Sequence, residues 1–147
     1  MTIEELLALS PDASITVHNR LFVLQGTVTV ALDTDGEHVW LIADDGRLLS
    51  VKPATEEILS FNVVEEELEP EGSVVSYRGR AFEFNLEDAG TVRRAVGDVE
   101  HAEEDRYAFR DFEDDEGERV RILTNETTGD VHAFHGTVVE AEDVQAA

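Results

Sequence analysis

Apolar residues that recur at every second position constrain this chain more than any other feature. From Ser14 onward Ile15, Val17, Leu21, Val23, Val28, Val30 and Leu32 sit among polar neighbours at strand spacing, the pattern of strands with one face on a core. Asp35-Gly36 and Asp45-Gly46 are tight-turn dipeptides, because both residues tolerate the positive φ that short hairpins need. His38–Ile42 therefore reads as a strand and Arg47–Lys52 as its return. Pro53-Ala54 breaks the run. Thr55–Val64 reads either as a strand or as a helical turn leading into one.

Glu65–Glu71 holds five acidic residues, Pro70 and no base, the composition of a linker. Strands are predicted again at Val74–Tyr77, Arg80–Leu86, Thr91–Val96, Arg106–Phe112, Glu118–Thr124 and Val131–Glu140, the last with a break near Gly136. At the other end, Thr2-Ile3-Glu4-Glu5 is a capping-box pattern. Ile3, Leu6 and Leu7 follow at helical spacing, and Pro11 ends the segment.

The two halves share an order of features. Val17-His18-Asn19-Arg20-Leu21-Phe22 matches Tyr77-Arg78-Gly79-Arg80-Ala81-Phe82. Asp44-Asp45-Gly46 matches Asp114-Asp115-Glu116-Gly117, and Thr55–Phe61 matches Thr128–Phe134. Matches in order are the signature of an internal repeat. The expected fold is therefore mainly β, with two related β-units forming barrel-like or sandwich-like sheets and a short N-terminal helix. Its parts are the helix at 1–13, a first β-unit at 14–64, an acidic linker at 65–72 and a second β-unit at 73–147.

Composition narrows the function. The chain has 147 residues and no cysteine, which excludes disulfides, thiolate nucleophiles and cysteine zinc sites. Its formal net charge is −23, and Lys52 is its one lysine. Such a field repels nucleic acid and anionic membrane, so the expected partner is a protein. No apolar run reaches the roughly 18 residues of a spanning helix, and Met1–Leu9 lacks the basic residue of a signal peptide. A cytoplasmic location is the expectation.

No catalytic motif is legible. Asp33-Thr34-Asp35-Gly36-Glu37 resembles a calcium loop, but His38 and Asp44 stand where an EF-hand needs its glycine and its bidentate glutamate. His132 and His135, three apart in a strand, point to opposite faces. His18, His38 and His101 are further candidate ligands, but surface or part-buried histidines are the favoured reading, so neither a metal nor another cofactor is expected. The sequence contains no nucleophile elbow, P-loop or dinucleotide fingerprint. Glu83 and Asp111, inside predicted strands, are the candidates for a carboxylate pair. Arg78, Arg80, Arg93 and Arg94 form the one local basic excess. With Tyr107 they are the candidate ligand-binding residues, although the arginines can equally neutralise neighbouring carboxylates. Trp40, Phe82 and the other strand aromatics read as core. The expected function is a non-catalytic binding or assembly module. The alternatives are a hydrolase-like enzyme using paired carboxylates, or an acidic protein binding a basic partner.

A further expectation comes from a series of motifs. These are Gly72, Val75-Ser76-Tyr77-Arg78-Gly79-Arg80-Ala81-Phe82, Gly97-Asp98-Val99, Arg106-Tyr107-Ala108-Phe109-Arg110-Asp111-Phe112, Gly117 and Phe134-His135-Gly136 followed by Val138-Val139. Together they resemble the bacterial domain-of-unknown-function family 4178, from about Ser14 onward and more clearly after Gly72. Two segments depart from that pattern: Val39-Trp40-Leu41 in place of tryptophan-acid-leucine, and Gly97-Asp98-Val99 in place of Gly-Glu-Leu. The resemblance implies a β-rich fold and carries no activity or catalytic residue.

The charge also predicts a response to salt. Folding brings like charges together, and the Debye length falls from about 10 Å at 0.1 M to about 3 Å at 1 M salt. The melting temperature should rise between low salt and 1 M sodium chloride. A flat or falling trend would show that the carboxylates are already well separated.

Overall fold

The computed structural model describes residues 1–147. Its strands are β1 (Ser14–Val17), β2 (Arg20–Leu32), β3 (Glu37–Ala43), β4 (Leu48–Lys52), β5 (Glu57–Val64), β6 (Val74–Tyr77), β7 (Arg80–Gly97), β8 (Arg106–Glu113), β9 (Arg119–Asn125), β10 (Val131–Val139) and β11 (Val144–Ala146). One short helix, α1 (Ile3–Leu7), precedes them, with the capping box between Thr2 and Glu5 formed. A single 3-10 turn, Ala141–Asp143, leads into β11.

The strands run in the order β11-β1-β2-β3-β4-β5-β10-β9-β8-β7-β6, and β2 also pairs with β7. That last pairing closes β2-β3-β4-β5-β10-β9-β8-β7 into an eight-stranded antiparallel barrel. The barrel-like form of the expectation is the one observed. Strands from 14–64 and from 73–147 contribute to the same wall, through the β2–β7 and β5–β10 pairings.

Two β-bulges decide where the core lies. A bulge inserts one residue and so exchanges the faces of a strand beyond it. In β2 the register shifts between Leu24 and Gly26. Phe22 and Leu24 pack on the outside of the wall with Leu6, Ile15, Leu41 and Leu49. Val28 and Val30, beyond the bulge, face the lumen with Trp40, Phe61 and Phe109. In β7 the shift falls between Phe84 and Leu86. Phe82, before it, packs outside with Val75, Tyr77, Phe112 and Val120, whereas Val92 joins the lumen cluster. The ends of β2 and β7, with β1 and β6, thus fold back over the barrel. Trp40 and Phe82, both read as core, are fully enclosed.

Two expected breaks are absent. Arg80–Leu86 and Thr91–Val96 belong to one continuous strand, β7, and β10 runs through Gly136. The Glu87-Asp88-Ala89-Gly90 stretch has weak strand propensity, but β8 pairs with it throughout, and β2 joins at Gly90. Tertiary pairing overrides the local preference there. Thr55–Val64 resolves as a turn, with Glu56 at φ 59, followed by β5.

The joints of the barrel need glycine. Gly136 of β10 lies opposite Phe61 of β5, and a Cβ there would sit 1.8 Å from the Ser60 carbonyl oxygen. At the other joint Gly26 faces Gly97, and a Cβ on Gly26 would lie 2.4 Å from the Val96 carbonyl oxygen. Overpacking typically costs about 1–3 kcal/mol, and a backbone obstacle cannot move aside as a side chain can. Gly136→Ala should therefore lower the melting temperature sharply in thermal unfolding. An unchanged transition would mean that the β5–β10 joint is slack.

Candidate functional site

An eight-stranded barrel has an interior that side chains just fill, and most of this lumen is filled. Arg121 of β9 and Asp111 of β8, both 1% exposed, face one another inside. Arg121 donates from Nε to Asp111 Oδ1 at 2.7 Å and from one terminal nitrogen to Oδ2 at 2.9 Å. Its other terminal nitrogen donates to Ser50 Oγ of β4 at 2.8 Å. The guanidinium lies 4.7 Å from the Phe109 ring centre and 5.0 Å from that of Phe61. The bidentate pair, the hydroxyl and the two ring faces together satisfy a charge that could not otherwise be buried. His38 stacks on Phe109 at 5.2 Å. Burial, and then the nearby Arg121 charge, pull its pKa down to about 4, so it is neutral.

One end of the lumen is open. There the β3–β4 turn, the end of β5, the start of β10 and the loop after β7 surround a cavity of about 280 Å³. Alternation places its walls: Trp40 and Ile42 from β3, Leu48 from β4, Leu123 from β9, and His132 and Phe134 from β10. The Asp98–Asp105 loop folds inward, with Val99 packed on the lumen cluster. His101 stacks on Tyr107 at 5.1 Å and meets Trp40 edge-on at 5.9 Å. Burial, and then the charge of His132, lower the His101 pKa. Trp40 Nε1 and His101 Nδ1 are buried without hydrogen-bond partners. Asp44, Asp98 and Glu100, all exposed, line the rim.

The structure separates the residues singled out as ligand-binding candidates. Arg78 sits in the β6–β7 turn at φ 51, with its guanidinium 5.1 Å over the Tyr77 ring. Arg80 reaches Asp114, Glu116 and Glu118 around the β8–β9 turn, with Glu116 at 2.6 Å. Those three carboxylates are grouped closely enough to hold a cation, and Arg80 is the cation they meet. Arg93 and Arg94 are exposed far along β7. Tyr107 is buried behind His101, where Asn125 Nδ2 donates to its hydroxyl at 3.0 Å. Its pKa is pushed up to about 12, chiefly by burial. Of the carboxylate candidates, Glu83 is exposed and Asp111 is the buried partner of Arg121. His132 faces the cavity, while His135 lies outside against Tyr77 and Phe82 at 5.1 and 6.0 Å.

No protein-family model, curated protein or solved structure matches the chain.

The buried histidines predict a pH dependence. A histidine whose folded pKa lies below its unfolded value must take up a proton on unfolding. Stability from His38 is therefore complete above about pH 6.5, lost progressively as pH falls, and fully lost below about pH 4. The loss approaches about 3 kcal/mol. His101 acts in the same direction. Melting curves between pH 7 and 4.5 should slope more steeply for the parent than for His38→Phe, which keeps the stack on Phe109. Equal slopes would remove His38 as the source.

Proposed function

We propose that this chain is a non-catalytic binding module whose ligand enters the open end of the barrel. The observation that carries this reading is the cavity of about 280 Å³ over Trp40 and beside Phe134, in a lumen otherwise occupied by the chain's own side chains. Barrel mouths with apolar walls and a few polar groups are preferred ligand sites. The hydrolase-like alternative has less support. Both oxygens of Asp111 are taken by Arg121, and the three rim acids are exposed rather than enclosed in the apolar surroundings that favour general-acid chemistry. A cytoplasmic setting and a partner other than nucleic acid belong to the same proposal, the latter supported by the charge of −23.

The barrel also reads as two copies of one β-unit. Phe22 and Phe82 each follow a short hairpin and precede a bulge. Trp40 faces Val28 in register as Phe109 faces Asp88. Leu48 pairs with Ile42 and Phe61 as Arg121 pairs with Asp111 and Phe134. By these registers exchanging the two units places Trp40, Ile42, Leu48, Leu123 and Phe134 of the cavity on Phe109, Asp111, Arg121, Ser50 and Phe61. The resemblance to family 4178 fits this β-rich reading and adds no activity to it.

The chain's one tryptophan lies at the site, so binding can be read directly. Compounds from a small-molecule screen that raise the melting temperature should also shift Trp40 emission. Both effects should be lost in Val63→Phe, a bulky change at an exposed lining position. Compounds that stabilise parent and variant equally without altering Trp40 would place binding elsewhere and sink the proposal.

A further inference from the structure

The filled part of the lumen, built from strands of both units, shows how this architecture holds a cation. There a guanidinium lies between two aromatic rings, Phe109 and Phe61, with a carboxylate to balance it. At the cavity the corresponding rings are Trp40 and Phe134, one from each unit, and Leu48 replaces the arginine. Leucine ends well short of a guanidinium, and the space is left open. Ile42 replaces Asp111, so no carboxylate stands on this wall. The cavity instead carries Asp44, Asp98 and Glu100 at its rim.

We propose that the cavity binds a small organic cation, a guanidinium or alkylammonium group on a short apolar body. The charged group lies at the mouth against the Phe134 ring, with the enclosed Trp40 as the floor beneath it. Asp44, Asp98 and Glu100 supply the counter-charge. The apolar body packs on the accessible walls, Ile42 and Val63.

Three further considerations support this class. The partly exposed Phe134 ring offers a cation a π face close to three carboxylates. The chain's net charge of −23 concentrates cations at any opening in its surface. Burial holds His101 towards its neutral form, so this aromatic wall does not oppose a positive ligand. An anionic ligand would meet three carboxylates at the entrance.

This inference rests on the binding reading above, and the experiment separates the two. Butylguanidinium is titrated against the full chain with Trp40 emission as the readout, beside N-butylurea, a neutral compound of nearly the same shape. Butylguanidinium should saturate, and butylurea should bind at least about tenfold more weakly, the difference expected when the charge and its cation–π contact are removed. The double variant Asp98→Asn, Glu100→Gln should weaken butylguanidinium by a similar factor. A control with equal charge removed elsewhere, Glu4→Gln with Glu142→Gln, should not. Ile42→Asp with Leu48→Arg transplants the buried ion pair into the cavity. It should keep the β-sheet circular dichroism and lose the response to butylguanidinium.

Equal binding of butylurea would overturn the cation assignment and leave a neutral-ligand site standing. A rim double variant that loses no more than the control would reduce the effect to the general field of the chain, and the assignment would fall. Silence of Trp40 towards both probes would overturn the cation assignment as well. Silence towards every stabilising compound of the screen would remove the binding reading itself.

Discussion

Closure of the sheet is the constraint on which the rest of this structure depends. Two runs of four antiparallel strands, β2–β5 and β7–β10, meet edge to edge at β2–β7 and β5–β10. Closure satisfies backbone groups that would otherwise be free at four strand edges. It also fixes the lumen at a width that side chains must fill. The glycine at β5–β10 and the Gly26–Gly97 pair at β2–β7 follow from the approach of backbones at the joints. The bulges follow as well, because β2 and β7 are longer than the barrel wall and must turn their first residues onto its outer face.

Within that frame the scarce positive charges have distinct uses. Arg121 is wholly enclosed and held by Asp111 and Ser50. Removing one partner of such a pair typically costs about 3–5 kcal/mol, because the remaining charge is stranded. Arg80 gathers three carboxylates at the β8–β9 turn, and Arg106 binds both oxygens of Asp33 at 2.8 and 2.7 Å, tying the end of β2 to the start of β8. Those two are exposed and individually contribute little. Their effect is to relieve repulsion at turns where acidic residues converge.

Much of this was legible in the sequence, and the limits have physical causes. Alternation and the aspartate-glycine turns located the strands of the first half. The capping box located α1. The alternation of Tyr107 and Phe109 also implied that Asp111 points inward, and that of Leu123 implied the same for Arg121. Those signals were present, but an inward charge is read as an exception until its partner across the sheet is known, and that partner is set by register. The continuity of β7 was hidden because its middle is polar and is held by neighbours distant in sequence. The cavity was hidden for a related reason. Trp40 and Phe134 read correctly as strand aromatics, but only closure brings β3 and β10 to one mouth, and only the inward fold of the Asp98–Asp105 loop sets His101 beside them.

The sheet that results has very little edge. Its outermost strands are β6, with four residues, and β11, with three. Exposed edges invite other chains to add strands, and many β-proteins guard theirs with lysine. A chain with a single lysine has no such guard to spend. Brevity takes its place here, since three or four residues offer an incoming strand too few hydrogen bonds to hold it. The same hairpin folding that covers the outer core therefore leaves another chain little edge on which to add a strand.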